Sequence, residues 1–172
     1  IIDALGGVEV DSPYEFTTLH GNYKIKKGVN ELNGDQALCF VRERYALPSG
    51  DFDRGKNQQR LLKAMLKKAM SPKIITNYSN ILAAVEGSFE TDMSSDDIKS
   101  LVNMQLDDMA NWEMFNVQVT GDGAISYDTY SQKGKKTYIT IPYKKSIQNI
   151  RKVIDKIEAG KKLTEADVKG LS

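Results

Sequence analysis

Ala37 to Gln59, ALCFVRERYALPSGDFDRGKNQQ, decides how this chain is read, because it sets three arginines and a glutamine where a helix ordinarily carries core residues. Take Asp53 to Met70 as an α-helix and count about 100° per residue from Arg54. Gln58, Leu61, Leu62, Met65 and Ala69 then share one stripe about 100° wide with Arg54, while Lys56, Arg60, Lys63 and Lys67 lie opposite. The apolar stripe thus carries a guanidinium and an amide at its N-terminal end. Burying them costs on the order of several kcal/mol unless something pairs with them; a bound anion would. Arg42 and Arg44 are two apart and diverge by about 200° on a helix. The helix through Phe40 must therefore loosen near Arg42, and an extended backbone there lets both arginines face one pocket.

Arginine suits a diphosphate, because its planar fork donates paired hydrogen bonds and stays charged at every relevant pH. Arg42, Arg44 and Arg54 together would neutralise most of a pyrophosphate's charge. Gln58, one turn beyond Arg54, is placed to donate to a phosphate oxygen or to orient an acceptor. Asp51 and Asp53 orient these arginines or cap the helix in preference to binding a metal. The competing reading is plainer: Arg42 and Arg44 flank Glu43, with Asp51 and Asp53 close by, and such residues often form surface ion pairs of small value. Lys63, Lys67 and Lys68 read as a solvated helix face.

Upstream, Val8 to Val10 is a short β-like run interrupted by Ser12 and Pro13, and Tyr23 to Ile25 is a second one before Lys27 and Gly28. Asn33 opens a helix as N-cap with Gln36 at N3 in a capping box, and Ala37, Leu38, Phe40 and Val41 make it largely buried. Pro48, Ser49 and Gly50 mark a loop, after which Asp51 or Asp53 can cap the long helix. Downstream, Ile74 to Val85 is expected to be helical, with Ile74, Tyr78, Ile81, Leu82 and Val85 on one face. Ser94 with Asp97 makes another capping box before Ile98, Leu101, Val102, Leu106 and Met109, which read as core.

From Trp112 the pattern turns to alternation, with Phe115, Val117 and Val119 on one side of an expected strand that Gly121 and Gly123 break. Tyr138 to Ile141 is a further short strand ended by Pro142, Ile147 to Ile157 an amphipathic helix, and Lys161 onward a charged tail. Short strands mixed with longer helices point to an α/β or α+β sandwich, helices covering a mixed sheet.

Composition bounds the function. A chain of 172 residues is large enough for a real core, and a formal net charge of +1 gives no global basic field, so no nucleic-acid partner is expected. No apolar run approaches the roughly 18 residues of a membrane span. The single cysteine, Cys39, cannot make an intrachain disulfide and reads as a small buried apolar residue. The single histidine, His20, reads as a loop or surface residue rather than a metal ligand or general base. Asn77, Tyr78 and Ser79 form a glycosylation tripeptide that is common by chance and carries no weight.

Leu32 to Leu38 (LNGDQAL), then Val41, Arg42 and Arg44, then Gly50, Asp51, Arg54 and Gln58 with Gln59, resemble the signature of the LytR-CpsA-Psr family of cell-envelope proteins. The opening run IDALGGVEVDSPYEF, with Asp3, Gly6 and Gly7, is similar to the segment that precedes that signature, and the likeness weakens toward Val119. The resemblance implies an αβα sandwich with a mixed central sheet flanked by helices. It assigns 1–120 to the C-terminal part of a catalytic domain; the residue pattern alone reads 121–160 as a final strand and helix of the same domain or an accessory region, and 161–172 as a charged tail. The resemblance also implies that a short cytoplasmic tail, a membrane helix and the N-terminal half of the domain precede Ile1.

In function, the resemblance implies an enzyme that moves a glycopolymer, such as capsular polysaccharide or teichoic acid, from an undecaprenyl-pyrophosphate carrier to peptidoglycan through a phosphodiester. The setting would be the outer face of a Gram-positive membrane, and the pattern fits best with a streptococcal-type protein. Arg42, Arg44 and Arg54 with Gln58 would contact the pyrophosphate beside Asp51, and Leu61, Leu62 and Met65 are candidates for the wall of an apolar tunnel that holds the polyprenyl tail. Mg2+ would help neutralise the pyrophosphate, through aspartates in the N-terminal half, so no metal ligand is assigned in this chain. Asn57 stands where the family commonly has an arginine, a departure expected to tune acceptor or substrate. Two rivals are a non-catalytic module that binds polyprenyl phosphate or wall polymer and regulates synthesis, and a transcriptional attenuator, against which the near-neutral charge speaks.

Overall fold

The computed structural model describes residues 1–75, 78–84, 91–108 and 112–171, and it divides into two compact units, Ile1–Trp112 and Glu113–Ser172. Within the first unit, β1 (Val8–Ser12) pairs antiparallel with β4 (Gly28–Leu32), Val8 opposite Leu32 and Ser12 opposite Gly28. Between them β2 (Phe16–Thr17) pairs antiparallel with β3 (Lys24–Ile25). β1 alternates as its sequence VEVDS demands, burying Val8, Val10 and Ser12. Ser12 is tolerated inside because its hydroxyl donates to the Tyr14 carbonyl at 2.7 Å. β4 lies outside the expected elements; its Asn30 and Glu31 gave no apolar alternation to find.

The helix α1 (Gly34–Arg42) starts as its sequence dictates: Asn33 Oδ1 accepts from the Gln36 N–H at 3.0 Å, and Gln36 Oε1 accepts from the Asn33 N–H at 3.1 Å. It buries Ala37, Cys39 and Phe40, whereas Leu38, expected inside, is 51% exposed. Phe40 stacks on Phe16, ring centroids 6.0 Å apart, in a core that also holds Val8, Val10, Ile25, Leu32, Leu47 and Leu61.

The long helix α2 (Asp51–Ala69) packs on β1 and α1. Its buried residues are Asp53, Asn57 and Leu61, with Ala64 and Met65 against the core. This stripe is rotated about a quarter turn from the expected one. Gln58 and Leu62 consequently face solvent. Two of the oxygens that go inside have local partners: Asp53 Oδ2 accepts from the Ser49 N–H at 2.8 Å, and Asn57 Oδ1 from Arg60 Nη1 at 2.9 Å, whereas Asn57 Nδ2 is buried with no partner among the described residues. Asp53 therefore serves the helix start while Gly50 occupies the N-cap with no side-chain bond. Asn57, where the resemblance led to the expectation of an arginine, is thus an interior position.

The helices α3 (Pro72–Ile75), α4 (Tyr78–Ala84) and α5 (Ser95–Asp108) follow. The Ser94–Asp97 capping box is present. On α5, Val102 and Gln105 are buried, and Gln105 Oε1 accepts from Trp112 Nε1 at 2.6 Å; Leu101 and Leu106 are at the surface. Asn77, Val85 and Met109, named in the sequence reading, lie outside the described residues.

In the second unit β5 (Gly121–Ser126) pairs antiparallel with β6 (Thr137–Pro142), followed by α6 (Lys144–Glu158) and α7 (Glu165–Val168). The strand falls on Gly121–Ser126 and not on Phe115–Val119. The glycines permit it: a Cβ on Gly121 would collide with the Ile141 carbonyl, and one on Gly123 with the Tyr138 ring and hydroxyl. The charged 161–172 stretch contains α7, whose Asp167 is paired with Lys156 Nζ at 2.6 Å. All three sheets among the described residues are two-stranded and antiparallel. Strands and helices together make a mixed α/β fold.

Candidate functional site

The site begins where α1 stops. Glu43 is its C-cap, with extended backbone (φ −65°, ψ 137°), and its N–H donates to the Cys39 carbonyl at 3.1 Å. That change of backbone brings Arg42 and Arg44 to one side, as their spacing requires. Glu43 itself is only 3% exposed. Its Oε1 accepts from the N–H groups of Arg44, Tyr45 and Ala46 at 2.9, 2.8 and 3.0 Å, and Oε2 accepts from the Leu19 N–H at 2.6 Å. Burial pushes this carboxyl upward, but the four backbone donors outweigh it and hold the group below the usual glutamate range. The ion pairing of Glu43 with its flanking arginines, which the plainer reading offered, is not found among the described residues; backbone N–H groups hold the carboxylate instead.

Arg42, Arg44, Arg54 and Gln58 line one hollow of about 330 Å³, together with His20, Val41 and Tyr45. The Arg42 side chain is exposed and makes neither a salt bridge nor a hydrogen bond among the described residues. Arg44 is held over the Tyr45 ring, 4.6 Å from its centroid, and Nη2 donates to Tyr45 Oη at 2.6 Å. Arg54, its side chain 37% exposed, is paired with Asp51 at 2.5 Å. An exposed pair of this kind contributes little stability; its effect is to aim the guanidinium. Arg54 and Gln58 stand at a rim and are not buried in the core as their helical positions suggested, so no desolvation cost has to be offset. Three guanidinium groups beside one acidic partner still leave the hollow attractive to an anion.

The other expected ligand residues are elsewhere. Leu61 is a core residue, Met65 packs against the core and Leu62 is 57% exposed, so none borders the arginine hollow. A second hollow of about 380 Å³ lies at the C-terminal end of α2, lined chiefly by Leu5, Ala69, Met70, Ile74, Ile98, Leu101, Met104 and Trp112. Ala69 alone of the expected stripe reaches it. Tyr45, not named in the sequence reading, and His20, read there only as a loop or surface residue, also border the arginine hollow. For Tyr45 the signal available was its place directly after Arg44; for His20, far off in sequence, there was none.

The acidic groups near the hollow do not fit a divalent cation. Glu43 is saturated by N–H donors, Asp51 is paired with Arg54, Asp53 is turned to Ser49, and no three His, Cys, Asp or Glu side chains among the described residues are grouped to hold a metal ion.

Known proteins resemble this chain in sequence and in fold. The polyisoprenyl-teichoic acid–peptidoglycan teichoic acid transferase TagU of Bacillus cereus (strain AH820) is 36% identical over 123 residues, 72% of this chain and 39% of that protein. The crystal structure of protein gbs0355 from Streptococcus agalactiae superposes with a TM-score of 0.67 at 28% identity, covering 95% of this chain and 54% of that one. B. subtilis TagV shares the fold with a TM-score of 0.70 at 23% identity, covering 94% and 60%. The chain therefore spans about two fifths of the length of the curated relatives it matches. The LytR_cpsA_psr family matches residues 1–161, well past Val119, and the chain belongs to that family.

Proposed function

We propose that this chain is the arginine-bearing part of a phosphotransferase that moves an envelope glycopolymer, teichoic acid or capsular polysaccharide, from a polyprenyl-pyrophosphate carrier to peptidoglycan. The observation that carries this reading is the convergence of Arg42, Arg44, Arg54 and Gln58 on one hollow. In the reaction an acceptor hydroxyl attacks the phosphorus that bears the polymer, the bond from that phosphorus to the bridging oxygen breaks, and polyprenyl phosphate leaves. The new phosphodiester holds polymer to wall, and the hydroxyl proton passes to solvent. Arg42, Arg44 and Arg54 would carry the charge that gathers on the phosphate oxygens, the largest service a protein gives in phosphoryl transfer. Gln58 would donate to a phosphate oxygen or orient the acceptor.

The apolar hollow is of the right chemistry for the polyprenyl tail, in place of the Leu61, Leu62 and Met65 wall first expected. Mg2+, if the complete domain uses it, takes its ligands from outside this chain. The complete protein would work on the outer face of a Gram-positive membrane, anchored by a segment outside the described residues, in which no helix is long and apolar enough to cross a bilayer.

Native mass spectrometry with a polyprenyl pyrophosphate, on this chain and on Arg54→Ala, tests the reading. Loss of the bound lipid in the variant, with fold retained, supports it; equal binding and equal turnover in the complete domain would sink the site assignment. Binding retained together with no transfer by the complete protein would select the regulatory module.

A further inference from the structure

We propose that His20 is a fourth contact to the anion in the arginine hollow, and that the buried Glu43 is the positioning residue that holds it there. The inference rests on reading that hollow as a diphosphate site. His20 lines the same hollow as Arg42, Arg44 and Arg54, although it lies more than twenty residues away in sequence. It is the only histidine of the chain. An imidazole carries at least one N–H donor in either tautomer, so it can bond a phosphate oxygen without any change of charge.

The backbone beneath His20 is fastened. Thr18, 1% exposed, donates its hydroxyl to the His20 carbonyl at 2.6 Å and accepts from the Tyr23 N–H at 3.0 Å, while its own N–H reaches the Tyr23 carbonyl at 2.9 Å. Asn22 takes a positive φ of 51° to close this loop. The Leu19 N–H, next to His20, donates to Glu43 Oε2, whose other oxygen holds the N–H groups of Arg44 to Ala46. One carboxylate thus joins two walls of the hollow, the His20 loop and the Arg44–Tyr45 turn. A buried group that accepts four backbone bonds fixes both segments, and preorganised donors bind an anion without the cost of gathering them.

Glu43→Gln separates the two halves of this device. The amide keeps an oxygen for the Arg44 turn and sets an NH2 against the Leu19 N–H, two donors facing each other. His20→Gln, by contrast, keeps a donor in the hollow, and His20→Ala removes it.

The experiment is titration of the 172-residue chain with inorganic pyrophosphate, read by calorimetry and by the imidazole proton and carbon resonances, which a single histidine makes unambiguous. We expect the His20 resonances to move on addition of pyrophosphate and to stay still in Arg54→Ala. His20→Ala should weaken binding about tenfold, His20→Gln less. Glu43→Gln should cost as much as His20→Ala, and the double variant no more than either. Pyrophosphate binding that depends on Arg54 but leaves the His20 resonances unmoved overturns the proposal while sparing the arginine site. Additive losses in the double variant overturn the role of Glu43. Absence of any pyrophosphate binding overturns the reading of the hollow and this proposal with it. If Glu43→Gln does not fold, the His20 measurements decide the contact and Leu19→Pro, which deletes the N–H that Glu43 accepts, takes its place in the cycle.

Discussion

The two ends of α2 make opposite surfaces from one helix. At its start, Arg54 and Gln58 face a hollow walled by charge; at its finish, some 17 Å along the axis from Gln58, Ala69 and Met70 border a hollow walled by leucine, isoleucine and methionine. The charged hollow is assembled from segments that backbone hydrogen bonds to Glu43 hold together, so little apolar contact is needed to keep its shape. The apolar hollow depends on side-chain contacts among α2, α3, α4 and α5. A ligand with a diphosphate head and a hydrocarbon tail needs both kinds of surface, and a protein can tune them separately because different forces build them.

Variants that touch one end and spare the other test that separation. The largest effect is expected from Leu61→Ala, midway along α2 and buried in the core, which should lower the unfolding free energy by about 2–5 kcal/mol. Denaturant unfolding would measure it, and binding at both ends should weaken in step. Arg54→Ala should cost about 1.5–3 kcal/mol in binding of inorganic pyrophosphate and of a prenylated pyrophosphate alike, with the unfolding midpoint unchanged because its ion pair with Asp51 is exposed. Leu101→Glu, in the apolar wall, should weaken only the prenylated ligand, by about 1–2 kcal/mol for the lost apolar contact. Loss of inorganic pyrophosphate binding in that variant would break the comparison. Gln58→Ala removes a neutral hydrogen bond and should cost about 1 kcal/mol at the charged end.

The second unit offers a contrast in pH. Hydrogen bonds from Lys156 and Thr164 hold the Asp167 carboxyl at about 2, below the ordinary 3.8. Because the folded value is the lower one, its contribution to stability is fully present above the ordinary aspartate range and disappears as pH falls from about 4 toward 2. The carboxyl carbon resonance of Asp167, followed by acid titration, should show a midpoint near 2 that Lys156→Ala raises.

The sequence by itself determined the capping boxes at Asn33 and Ser94, the burial of Cys39, the loosening of α1 near Arg42 and the grouping of three arginines with Gln58. These follow from local rules: a side chain reaching a backbone group three residues away, or two residues that diverge on a helix and converge off it. The rotation of α2 was beyond such rules. Periodicity counts Leu62 and Gln58 as readily as Asn57 and Asp53, and the packing of α2 on β1 and α1 decides which stripe is the inner one, where the Ser49 N–H reaches Asp53 and Arg60 reaches Asn57. β5 escaped notice because glycines normally weaken strands, and here they admit the Ile141 carbonyl and the Tyr138 ring. The meeting of the His20 loop with Glu43 was decided by tertiary structure: no spacing relates residue 20 to residue 43, and three of the carboxylate's four N–H donors are its own sequence neighbours, but the fourth, from Leu19, required the β2–β3 loop and the end of α1 to be brought together.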